Sequence, residues 1–298
     1  MLQPALMEHA EHATVVSSWA ELWSPGTMLV LVIIGVLYFL AIGPWRHQFR
    51  DAEEVGGLPR FYFVSGLVLV YAAIGSPISY YGHHYMFSAH MLQQSLLYLI
   101  APPLLLLGMP GWLLRPLFRN RVMDLLMRVW THPLLALLVF NMVFSFYHIP
   151  MVMNKLMQNE ALLSAYNVLF LASAFQMWFP IFGSLPEYTG MSGLKKMGYI
   201  FVNGILLTPA CALIIFADSV IYDMYSNVPS GVALLSPYDD QQLGGVIMKI
   251  VQEIVYAIAL AFCFFRWYRL ERKQDDEEEI LPHREDAFVS SSSHLNRA

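Results

Sequence analysis

Seven long apolar runs, spread along almost the whole chain, decide what this sequence can fold into. The hydrocarbon core of a bilayer is about 30 Å thick and a helix rises about 1.5 Å per residue, so some 20 apolar residues cross it. Segments of that kind lie near residues 28–45, 61–80, 88–107, 133–150, 161–183, 198–217 and 246–267. The expected fold class is therefore all-α, a polytopic membrane protein with seven transmembrane helices. Composition agrees: 57% of the 298 residues are hydrophobic and 13% are charged, too few charges to cover a soluble domain of this length. A net charge of -5 without a basic groove excludes a nucleic-acid binder, and two cysteines exclude a disulfide scaffold. Pro102-Pro103 predicts a kink in the second half of the third span.

Positive charge predicts the orientation. Arg46, Arg50 and Arg60 fall between spans 1 and 2; Arg115, Arg119, Arg121 and Arg128 between spans 3 and 4; Lys195 and Lys196 between spans 5 and 6. Arg266, Arg269, Arg272, Lys273, Arg284 and Arg297 follow span 7, whereas only Lys155 falls on the opposite side. Fifteen bases against one place the N-terminus outside and the C-terminus in the cytoplasm. Three regions follow: an extracytoplasmic tail over 1–27, a seven-helix transmembrane domain over 28–268, and a cytoplasmic, disordered acidic tail over 269–298. Residues 1–27 hold no Lys or Arg, so a secretory leader is not expected there. The run Asp275 to Glu279 and the serines at 290–293 cannot build a core.

With the sides assigned, polar groups collect at the outer end. Six of the ten histidines belong there (His9, His12, His83, His84, His90 and His148), with eight acids that concentrate cations. The densest group is Gly82-His83-His84-Tyr85-Met86 followed by His90 and Gln94, the first part read as a short connection. Met86, His90 and Gln94 share one helical face. His148 ends span 4 in Tyr147-His148-Ile149-Pro150, and Asp239-Asp240-Gln241-Gln242 precedes span 7 on the same side. Imidazole with thioether is a soft to borderline donor set, better suited to copper, and to Cu(I) in particular, than to magnesium or calcium. His-Glu-x-x-His is absent, so a zincin is unsupported. Each of these histidines also has a bland reading as a hydrogen-bonded interfacial side chain. Lys249 and Glu253, four apart on span 7, can pair with each other, and Asn141, Asn203 and Gln176 can bond between helices. Cys211 and Cys263 lie toward opposite leaflets, too far apart to bridge.

These residues also carry a resemblance. Phe87-Ser88-Ala89-His90-Met91-Leu92-Gln93, Ala101-Pro102-Pro103 through Gly108-Met109-Pro110, Thr131-His132-Pro133, Tyr147-His148-Ile149-Pro150, Trp178 through Gly183 and Asp240 through Gly245 resemble the CtaG family of bacterial caa(3)-type cytochrome c oxidase assembly factors. The resemblance implies a multi-pass plasma-membrane protein needed for active caa(3) oxidase, with oxidase subunits as partners and copper as the metal handled. It carries His90, His148 and Asp240 over as candidate ligands; His83, His84 and Met86 join them by proximity in sequence. Three readings follow: a non-enzymatic assembly factor that binds or delivers copper at the outer face, a metal-free scaffold for an oxidase subunit, and an intramembrane enzyme or transporter.

Overall fold

The computed structural model describes the backbone of residues 18–229 and 235–295, and the side chains of that range up to residue 273. His9 and His12 lie outside the described residues. Among those residues the chain is helical, without strands. Nine helices position the rest: α1 (Trp19–Ile42), α2 (Gly57–His84), α3 (Phe87–Gly108), α4 (Arg121–Trp130), α5 (Pro133–Tyr147), α6 (Pro150–Met157), α7 (Glu160–Phe182), α8 (Gly193–Ile215) and α9 (Pro237–Leu295). Six are long and apolar enough to cross a bilayer, seven if the bent pair α4–α5 is one span.

The expected fourth span, 133–150, is corrected. Helix α5 has only 15 residues, about 22 Å of rise, too short to cross alone. It joins α4 at a 65° bend across Thr131-His132. Pro133 causes the break: it stands at N1 of α5, and the residue before it, His132, is forced to an extended ψ of 121°. Ser76-Pro77 acts likewise in α2. The Ser76 hydroxyl accepts from Ile78 N, Pro77 stands at the first helical position, and the helix restarts to run through His84. His83 and His84 therefore sit on a helical turn rather than in the short connection the sequence suggests. The kink expected at Pro102-Pro103 takes the form of a π-helical turn over Ser95–Ile100, just before the two prolines.

Helix α3 is the central element: 72% of its apolar window is buried, against 11% for α1. Its first half packs on α9 and on the end of α2, and its second half packs on the body of α2 and on α7. A Cβ on Gly108 would stand 2.5 Å from the Phe63 nitrogen, so α2 and α3 touch backbone to backbone there. Helices α8 and α9 form another extensively packed pair. Within a bilayer, lipid tails are as apolar as leucine, so packing and interhelical hydrogen bonds supply association. Asn141 donates to Asn203 Oδ1 at 2.8 Å, Tyr199 to the Met177 carbonyl at 2.8 Å, Trp178 to the Tyr98 carbonyl at 3.2 Å and Gln176 to the Trp130 carbonyl at 2.9 Å. Cys211 and Cys263 are both buried and free.

The charged loops gather at one end of the bundle. There Arg128 pairs with Asp124 at 2.9 Å, Arg115 with Glu187 at 3.3 Å, and the Tyr188 hydroxyl donates to Asp124 at 2.6 Å. The backbone of α9 stays helical to Leu295, through the acidic run; straight-chain charged residues carry helix propensity without needing a core.

Candidate functional site

At the opposite end, four chain segments converge: the end of α2, the start of α3, the end of α5 and the start of α9. The loop after α8 closes over them. Gly82 makes the first approach possible, since a Cβ there would stand 2.9 Å from the His90 nitrogen. The Tyr225 hydroxyl donates to the Gly82 carbonyl at 2.6 Å, and the Tyr222 hydroxyl donates to the His148 carbonyl at 2.9 Å. Phe87 stacks on Tyr222 at 4.7 Å between centroids and meets Tyr225 edge-on at 5.4 Å. Burial pushes both tyrosine hydroxyls far above the ordinary phenol range, so they act as fixed donors. Helix α9 is tied to the same loop: Gln241 accepts from Ile221 N at 2.8 Å and donates to the Ser219 carbonyl at 3.2 Å.

Inside this closure sit two fully buried imidazoles. His148, the C-cap of α5, donates from Nδ1 to the Phe144 carbonyl at 2.7 Å. That bond fixes the tautomer and leaves the Nε2 lone pair free, buried, and without a partner among the described residues. His90, one turn into α3, has its Nε2 2.9 Å from the Tyr147 hydroxyl and 3.1 Å from Gln94 Nε2, and its Nδ1 is buried with no partner among the described residues. A phenol can donate or accept. With the proton on Nε2 and Tyr147 accepting it, and with the Gln94 amide turned so that its Oε1, otherwise without a partner among the described residues, faces the ring in place of its Nε2, the Nδ1 lone pair of His90 becomes free to ligate.

The remaining sequence candidates divide. His83 is half-buried, its ring 5.8 Å from that of His90, and its Nδ1 donates to the Ser79 carbonyl at 2.9 Å, so its Nε2 is also presented. His84 has the same tautomer, donating to the Tyr80 carbonyl at 2.8 Å, but is exposed and stacks toward Tyr80. Met86 is the half-buried N-cap residue of α3, one position outside the helix on which the sequence reading placed it. Asp240 is occupied: one carboxylate oxygen accepts from the Ser88 amide at 3.2 Å and the other from the Ser88 hydroxyl. It caps the N-terminus of α3 from α9 and complements the helix dipole. Among the described residues, no three His, Cys, Asp or Glu side chains come together in a way that could hold a metal ion. What the site offers is single imidazole nitrogens, His148 Nε2 and His90 Nδ1, each buried without a partner among the described residues. Tyr147, Tyr222 and Tyr225 complete it; Tyr147 stood in a motif only as the neighbour of His148, and Tyr222 and Tyr225 carried no sequence signal beyond being aromatic.

A cavity of about 630 Å³ lies elsewhere, between α1, α2, α3, α4 and α7; it is lined only by apolar side chains such as Leu31, Phe63, Pro102 and Phe175. It has no polar group with which to orient a reacting substrate.

In comparison with known proteins, residues 36–270 match the family described as cytochrome c oxidase caa3 assembly factor. No curated protein and no solved structure matches the chain.

Proposed function

The chain belongs to the caa3 cytochrome c oxidase assembly-factor family, matched over most of its length, and from that premise we propose that it is a non-enzymatic factor that holds Cu(I) as cargo for the oxidase. The observation that carries the copper reading is that two buried imidazole nitrogens at this end, His148 Nε2 and His90 Nδ1, each lack a partner among the described residues. A buried polar atom without a partner costs free energy, so it needs a use. Two nitrogens without a third ligand do not suit structural zinc, which takes four. They do suit Cu(I), which accepts low coordination. The Phe144 carbonyl on His148 and the Tyr147 hydroxyl on His90 act as the outer partners that orient ligating imidazoles. His83 stands next to His90 as a second position to which the ion can step. The charge asymmetry of the loops supports reading this end as the outer face, where the oxidase copper would be supplied.

The test is a competitive Cu(I) titration of purified protein under reducing conditions, beside a His90→Ala, His148→Ala double variant. The expected result is one tight ion in the native protein and an affinity at least about tenfold lower in the variant. Equal affinity overturns the copper reading. Normal oxidase assembly by the double variant in cells would leave the metal-free scaffold instead.

A further inference from the structure

The charged pair on α9 lies where no membrane protein leaves charge facing lipid without a reason. Glu253 is thirteen residues from Asp240 at one end of the span and thirteen from Arg266 at the other, so it stands about 20 Å from each, near the middle of the bilayer. Lys249 pairs with it at 2.6 Å and donates to the Thr208 hydroxyl of α8 at 2.9 Å. Yet the Glu253 side chain is 61% exposed and that of Lys249 27% exposed, on the outward face of the α8–α9 pair. Thr208 is exposed beside them. Neither charge reaches the headgroups, and intramembrane ionised residues face protein or water.

The same face is built for close approach. Glu253, Ala257 and Ala261 follow one another at i+4 intervals below Lys249, all three exposed, flanked by the exposed Ile250, Ile254 and Ile258. Small residues at this spacing let a second helix come near. We propose that this face binds a second copy of the same chain, forming a two-fold dimer about an axis along the bilayer normal. The charge pattern chooses that occupant. A second copy in the same membrane carries the same cation and anion at the same depths, and across the two-fold each Lys249, level with its counterpart, lies one helical turn from the other copy's Glu253. Their Cα levels differ by about 6 Å, within reach of the two long side chains. The contact is isologous, so it closes at two copies.

The experiment counts copies in vesicles of phosphatidylethanolamine and phosphatidylglycerol, with full-length protein labelled on an added tag and bleaching steps read from single particles. Native protein is expected to bleach in two steps. Glu253→Lys and Lys249→Glu each place like charges across the axis, and each alone is expected to lower the two-step fraction roughly tenfold. Labelled in two colours and mixed, the same two variants are expected to form two-colour pairs, because each then supplies the charge the other lacks. That mixture separates pairing between copies from the pair within one copy, which neither variant keeps. Lys249→Leu/Glu253→Leu leaves no uncompensated charge to unfold the helix, and is expected to bleach in one step. A native protein that bleaches in one step overturns the proposal. So do single-charge variants that stay paired alone, or a mixture without two-colour pairs.

Discussion

Asp240→Ala is the sharpest test of the closed end of the bundle. The carboxylate is 7% exposed and holds both the amide and the hydroxyl of Ser88, 152 residues away. Hydrogen bonds to a charged group contribute about 1.5–3 kcal/mol each, and an acid at a helix N-terminus about 0.3–1 kcal/mol more. The two bonds share one carboxylate, so they do not add fully; a total of about 3–5 kcal/mol is expected. At roughly 2–4 °C per kcal/mol for a chain of this size, the midpoint of thermal unfolding in detergent should fall by about 10 °C. The Ser88→Ala, Asp240→Ala cycle should show a coupling of about 1–3 kcal/mol, since each single change strands the other residue's hydrogen-bonding group. If the cap is its role, Cu(I) affinity under the copper proposal, measured well below the lowered midpoint, should stay within about threefold of native. An Asp240→Ala midpoint within about 2 °C of native, or additive behaviour with Ser88→Ala, would refute the capping argument.

Two further outcomes follow. Gly108→Ala drives a methyl to within 2.5–2.7 Å of Phe63 backbone and Cβ atoms, which cannot yield as a flexible side chain would. It should cost about 2–4 kcal/mol in the same thermal assay, and a stability equal to native would show that α2 and α3 do not touch there. At the basic end, burial, followed by the bond to Asp124, pushes the Tyr188 hydroxyl up to about 12. A phenol raised in the folded state stabilises it fully below the unfolded value near 10, and that contribution is lost as pH rises toward 12. Native protein should thus lose stability between pH 10 and 12 more steeply than Tyr188→Phe; parallel pH curves would contradict this.

The membrane-spanning architecture was legible because lipid demands long apolar helices and little else. Polar residues within the spans were legible for the same reason: in hydrocarbon they must find one another, as Lys249 does with Glu253, Asn141 with Asn203, and Gln176 with the Trp130 carbonyl. The break before Pro133 and the helical turn carrying His83 and His84 were written locally, in a Pro at a first helical position and a Ser cap, but apolar run length masks such signals. The site was legible as residue types and not as roles. Asp240 reads in the sequence as a candidate ligand, and its bond to Ser88, 152 residues away, is not legible there. Tyr222 and Tyr225 clamp carbonyls 74 and 143 residues distant, and no periodicity encodes a closure of that range.

The wide turn at Ser95–Ile100 has a consequence for how α3 divides its surface. One residue more than an α-helix would use advances the remainder by about 100° around the axis. The rod above that point can therefore aim His90 and Ser88 at one set of neighbours, while the stretch below presents Gly108 to another, an alignment a regular helix could not give both. Deleting a single residue within 95–100 would spin the lower part away from Phe63 and leave the upper part undisturbed. The closed end with its buried histidines and the packing of the lower bundle would then come apart in a single polypeptide.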